Sequence, residues 1–151
     1  MITFSRTLLV GVESLNETAL RFHGILEDRI YAMEIEMDVN MPEAVIVRIQ
    51  GRMKRYTTPV CPKAVNVLQK AVGVSLRDEG WIPKLKREIG QKGCQHFAEL
   101  LVECGRCLDS ARIAQALEET LKAQPTPSPF EIAQSWVNNH PEVKGSCIAR
   151  K

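Results

Sequence analysis

The chain has 151 residues, enough for one ordinary domain, and its 44% apolar and 25% charged residues describe a globular protein. A formal net charge of +2 argues against a nucleic-acid groove or an acidic membrane surface as its partner, and four Phe, two Trp and two Tyr are too few for a base-stacking platform. No apolar run approaches the ~20 residues that span a bilayer. The start, Met1 to Arg6, lacks a basic segment followed by an apolar one, so we expect no signal peptide and a cytoplasmic location.

The first third reads as β-sheet. Residues 2–12 and 18–27 are strand-like, separated by the turn-like Ser14-Leu15-Asn16-Glu17. A third segment alternates, with Met33, Ile35, Met37 and Val39 on one face and Glu34, Glu36 and Asp38 on the other. The fourth is read the same way, Val45, Val47, Ile49 and Met53 inward, Arg48, Gln50, Arg52 and Lys54 outward. Paired antiparallel across the loop Asn40-Met-Pro-Glu43, these two strands set an acidic row beside a basic one.

After Tyr56 the pattern turns helical. Pro62 suits a first helical position, and Ala64, Val65, Leu68, Ala71 and Val72 form a stripe that ends at Gly73. A short second helix follows Pro83, carries Leu85 and Ile89, and stops at Gly90. The third runs from about Cys94 to Gly105. Asp109 can cap a fourth bearing Ile113, Leu117 and Leu121, and Ser128 with Glu131 has capping-box spacing for a fifth that carries Ile132 and Trp136. Strands first and helices afterwards predict an α+β fold: about four antiparallel strands over 1–57, covered by helices over 58–139, with an irregular tail over 140–151, all one domain.

Five cysteines in a reducing compartment argue against a disulfide framework and for free thiols, metal ligands or redox chemistry. Cys61 precedes Pro62 at the strand-to-helix junction, where a helix N-terminus stabilises a thiolate. Cys94 and His96 open the third helix. Residues two apart on a helix diverge by about 200°, so the two can share an ion only if Cys94 sits at the cap, outside regular geometry, which Gly93 favours. Thiolate with imidazole suits zinc, copper or iron. Cys104-Gly-Arg-Cys107 has the redox and metal spacing, but it closes an amphipathic helix on whose apolar side Phe97, Leu100, Leu101, Cys104 and Leu108 lie. Cys107 turns toward His96, Leu100 and Glu103. Ten helical residues, about 15 Å, separate Cys94 from Cys104 and exclude one shared mononuclear site. We therefore read the pair as structural.

Arg52-Met-Lys-Arg-Tyr-Thr-Thr-Pro-Val-Cys-Pro62, Val72-Gly73, Gly80-Trp81, Ile89 through Leu101 and Cys147-Ile-Ala149 together resemble an uncharacterised bacterial family, a domain of unknown function with a Gly-Cys-x-His motif. The order of sheet and helices, Cys61 at the last strand's exit and Cys94 with His96 at a helix start are remotely similar to the NifU/IscU-type iron–sulfur scaffold proteins. That resemblance implies a NifU/IscU-like fold, an iron–sulfur cluster or zinc, and a sulfur donor or acceptor protein as partner. By the same resemblance Asp28, before the third strand, matches a scaffold aspartate. The expected ligands are Cys61, Cys94 and His96, with Asp28 or Cys147 completing four-coordination. Two other readings stand beside this one. The first is a thiol-dependent enzyme using Cys61 or Cys94 with His96 as base. The second is a protein-interaction module with structural cysteines, in contact through its fifth helix and tail. The metal reading makes a non-enzymatic role the expectation.

Overall fold

A computed structural model describes residues 1–123 and 128–146. The chain forms two compact units, Met1–Cys107 and Leu108–Lys151. In the first, β1 (Arg6–Asn16), β2 (Ala19–Asp28), β3 (Ala32–Asn40) and β4 (Val45–Arg55) make an antiparallel meander in the order β1-β2-β3-β4. A 3₁₀ helix (Cys61–Ala71) follows, then α1 (Trp81–Leu85), which widens into a π-helical stretch (Lys86–Gln91), and α2 (Gln95–Arg106). The expected border between sheet and helices, at 57/58, falls inside this unit. It is an α+β fold with the sheet first.

The acidic and basic rows meet as expected on the outer face. Glu34 pairs with Arg52 and Lys54, at 2.8 and 2.5 Å. Arg21 grips Asp38 with two parallel bonds of 2.7 and 2.8 Å, the strongest geometry available to such a pair. The exposed Glu34 pairs each contribute roughly 0–1 kcal/mol, so they set register more than stability, whereas the Asp38 carboxylate is buried against Arg21.

The inner face of β4 departs from strict alternation. Asp38 pairs with Arg48 but Val39 pairs with Ile46, which leaves Val47 as the extra residue of a β-bulge. The bulge turns Ile46 inward, 0% exposed, and leaves Val47 50% exposed. Val47 is thus outside the core, against the expectation from period two, while Ile49 and Met53 are inside it. Val45 is half-buried.

Leu20, Phe22, Leu26, Met33, Ile35 and Met37 of the sheet and Leu68, Leu85, Ile89, Phe97, Leu100 and Leu101 beyond it are all buried in this unit, where α2 lies on β2 and β3 and the 3₁₀ helix lies on β4. Two glycines make this close. Gly24, Ile35 and Gly51 lie side by side across β2, β3 and β4, so that a socket opens on each side of Ile35. A Cβ at Gly24 would stand 2.8 Å from Cys104 Sγ and 3.0 Å from Leu100 Cγ; one at Gly51 would stand 2.4 Å from Leu68 Cδ1. Cys104 is fully buried there, a small apolar residue as read from the helical pattern.

In the second unit α3 (Leu108–Ala123) and α4 (Pro129–Asn139) are followed by a 3₁₀ turn (Pro141–Val143), so the tail read as irregular begins with regular structure. Asp109 lies within the first turn of α3 rather than at its cap. The capping box of α4 is complete: Ser128 Oγ accepts from the Glu131 N–H and Glu131 accepts from the Ser128 N–H. Ile132 and Trp136 are buried, and His140 stacks on the Trp136 indole at 4.2 Å. Among the described residues no helix is long and apolar enough to cross a membrane.

The glycine sockets make a stability prediction. Gly24→Ala should cost about 1–3 kcal/mol by forcing Leu100 and Cys104 off their positions, whereas Gly11→Ala, with open space around it, should change little. Urea denaturation of both variants checks this. Equal midpoints would refute the socket account.

Candidate metal centre

The site is built where the strand end, the 3₁₀ helix and the start of α2 converge. After β4 the chain turns through Thr57-Thr58-Pro59-Val60, and Cys61 opens the 3₁₀ helix with its N–H on the Thr58 carbonyl at 3.0 Å. The second strip of backbone arrives from the π-helical stretch. Its wide turn ends in a bond five residues long, Cys94 N–H to the Ile89 carbonyl at 2.9 Å. Cys94 is the N-cap of α2, with extended backbone (φ −142°, ψ 121°). The Ala98 N–H bonds its carbonyl at 3.1 Å and starts the regular helix.

That cap conformation is the condition set by the sequence for Cys94 and His96 to face one point, and it is met. Cys94 Sγ and His96 Nδ1 are 3.9 Å apart. Metal–sulfur and metal–nitrogen distances of about 2.3 and 2.0 Å place the two ligands of one tetrahedral ion about 3.5 Å apart. The pair therefore stands a few tenths of an ångström from chelating geometry. Gly93 is required here for a different reason than backbone freedom. A Cβ on it would sit 2.9 Å from Val67 Cβ and 3.0 Å from the Ile89 carbonyl oxygen.

Cys61, Cys94 and His96 all line one cleft of about 380 Å³, along with Tyr31, Met53, Thr58, Lys63 and Lys92. Two thiols and an imidazole from chain positions more than thirty residues apart thus open on the same space. Among the described residues no three His, Cys, Asp or Glu side chains already stand at the spacing of a formed metal cage, so Cys61 would have to close on the Cys94–His96 pair. It stands half-exposed at the head of its helix.

Cys61 is the activated thiol. The Thr58 hydroxyl lies 3.4 Å from its sulfur and the Thr57 hydroxyl 3.7 Å. Hydrogen bonding from the Thr58 side chain, then from its backbone, then from Thr57 pulls the thiol down to about 7, against a small opposing effect of burial. The lowering comes from the Thr58 hydroxyl and backbone and the Thr57 hydroxyl, not from the helix N-terminus on which the expectation rested. Cys104 is the opposite case: desolvation pushes its thiol up to about 12, and burial raises Cys107 as well. Neither lines the cleft.

Asp28 lies elsewhere. Its side chain is fully buried, with Oδ2 on Arg6 at 2.9 Å and Oδ1 accepting from the Ile30 and Tyr31 N–H groups at 2.7 Å each. Burial raises its carboxyl, but those backbone donors and Arg6 outweigh it and hold the group below the usual carboxylate range. Both oxygens are thus committed, Oδ1 to the β2–β3 turn and Oδ2 to Arg6 of β1. Cys147 lies outside the described residues.

The residues that sequence reasoning left unassigned are Tyr31, Thr57 and Thr58. Tyr31 stacks on His96, ring centroids 4.2 Å apart and tilted by 37°, and its hydroxyl is 3.4 Å from Thr57 Oγ1. The threonines carried a local signal, hydroxyls three and four residues ahead of a cysteine in a turn. Tyr31 carried none, because strand pairing brings it there.

Residues 15–108 match the family described as "Protein of unknown function (DUF2889)". The chain belongs to this family. The matched span holds the whole cleft together with Cys104 and Cys107, and excludes α4 and Cys147. No curated protein and no solved structure matches the chain.

The hydroxyl contacts predict a titration. Site-resolved alkylation of Cys61 should follow an apparent pKa of about 7. Thr58→Val removes the main donor to the thiolate, so the value should rise toward the ordinary thiol range and labelling at pH 7 should slow several-fold. Mass spectrometry of iodoacetamide-treated protein across pH 5.5–9.5 reads both, and an unchanged profile in Thr58→Val would contradict the assignment.

Proposed function

We propose that this protein binds a thiolate-seeking metal, zinc or an iron–sulfur cluster, in the cleft, with Cys61, Cys94 and His96 as ligands. The observation that carries the reading is the near-chelating separation of Cys94 Sγ and His96 Nδ1, 3.9 Å, in a cleft that Cys61 also lines. Softness matches: two thiolates and an imidazole select zinc or iron over magnesium or calcium. The fourth position is left to an exogenous ligand, since Asp28 is held by Arg6 and the turn. Coordination needs the thiolate, and a thiol near 7 supplies it at neutral pH with little cost in proton release. A role as scaffold or carrier of the NifU/IscU kind, handing a cluster to or from a sulfur-transfer partner, is the finer form of this proposal. The strand-then-helix order and the position of Cys61 at the exit of the last strand support it.

The lowered Cys61 thiol also favours a second reading, a nucleophilic cysteine in an open cleft. The two readings differ in what occupies the sulfur. Protein purified without oxygen should contain stoichiometric metal, with acid-labile sulfide if a cluster is bound, and Cys61→Ala and Cys94→Ala should both lose it along with thermal stability. Metal-free protein whose stability is indifferent to both substitutions, while Cys61 reacts selectively with thiol probes, would establish the nucleophile reading instead.

A further inference from the structure

We propose that Tyr31 is the positioning residue of this cleft, its ring fixing the imidazole of His96 in the orientation that chelates with Cys94. The role in metal binding rests on the reading above; the positioning itself does not.

Tyr31 is held by the turn between β2 and β3. All four strands meet there. From β2, Asp28 accepts the Tyr31 N–H at 2.7 Å and donates its own N–H to the Tyr31 carbonyl at 2.8 Å, a reciprocal pair. From β1, Arg6 neutralises the Asp28 carboxylate at 2.9 Å. From β4, Arg55 donates to the Asp28 carbonyl and reaches the Tyr31 carbonyl at 3.4 Å. Tyr31 itself leads into β3. A buried carboxylate with both oxygens engaged, one of them by Arg6 of β1, beside a main-chain carbonyl that accepts from Arg55 of β4, is far more than a three-residue connection needs. Its product is a fixed Cα and a fixed direction for Tyr31.

The other end of Tyr31 touches both halves of the cleft. Its ring lies against His96 at 4.2 Å, and its hydroxyl is 3.4 Å from Thr57, whose own hydroxyl is 3.7 Å from Cys61 Sγ. His96 sits in the first turn of α2, where a half-exposed imidazole would sample several rotamers. The orientation present turns Nδ1 toward Cys94. The tyrosine face removes the alternatives, and the sheet behind it supplies the rigidity. Residues in this supporting position typically alter metal affinity by 10–100-fold when removed. The buried aspartate that the NifU/IscU resemblance matched to a ligand has a different place in this scheme: it holds the residue that holds the ligand.

The test compares Tyr31→Phe, which keeps the ring, with Tyr31→Leu, which does not, in the full chain. Tyr31→Gln replaces the leucine variant should that one fail to fold. Cobalt(II) titration read by its ligand-field bands should give Tyr31→Phe within a few-fold of the parent, and Tyr31→Leu weaker by ten- to a hundredfold with altered band positions. In metal-free protein, the His96 ring resonances should stay single and ring-current shifted in Tyr31→Phe, and lose that shift and broaden in Tyr31→Leu. If the parent binds no cobalt but the resonances behave as stated, the metal reading fails and the positioning stands. If the leucine variant matches the parent in the imidazole resonances, or if phenylalanine is as damaging as leucine, the proposal is overturned.

Discussion

The site depends on how closely the backbone ahead of α2 lies against the 3₁₀ helix. Gly93 leaves no room for a Cβ between itself, Val67 and the Ile89 carbonyl. That contact, with the five-residue bond from Cys94 N–H to Ile89, holds Cys94 in an extended cap. Were the helix to begin one residue earlier, Cys94 and His96 would point to opposite sides of it and the thiol–imidazole pair would not exist. The same contact sets α2 beside the helix that Cys61 heads, so one close approach of backbone to side chain creates both the pair and its third neighbour.

Around this seam the molecule divides its cysteines by environment. Cys61 stands in a turn of hydroxyls and is acidic; Cys104 fills a socket beside Gly24 and is held protonated by burial. Chemically identical side chains are thus shifted in opposite directions, by hydrogen bonds in one case and desolvation in the other. Position 104 of the C-x-x-C spacing belongs to the stripe of Phe97, Leu100 and Leu101 and is buried with it.

Much of this was readable in the chain. Period two gave the inward set of β3, Met33, Ile35, Met37 and Val39, while Asp38, read as outward, is buried against Arg21; the charge rows forecast Glu34 with Arg52 and Lys54, and the requirement that Cys94 be a cap followed from helical geometry alone. What failed or was missed has a common cause, namely contact between segments distant in sequence. The bulge at Val47 answers the pairing partner Val39–Ile46 and has no local mark. Tyr31 looks like an ordinary residue before a strand until register and the Asp28 clamp deliver it to His96. Asp28 itself was recognised as notable, but its partner Arg6 is twenty-two residues away, so its commitment could not be seen. Glycine at 93 was expected for freedom of backbone, and its reason is space.

The central claim is that Cys61, Cys94 and His96 hold one ion between them. X-ray absorption at the metal edge of protein loaded with stoichiometric zinc addresses it most directly. The account predicts a first shell containing sulfur at about 2.3 Å and imidazole nitrogen at about 2.0 Å, with one sulfur lost in Cys61→Ala and the imidazole signature lost in His96→Ala. A shell of oxygen and nitrogen only, unchanged by those substitutions, would contradict it.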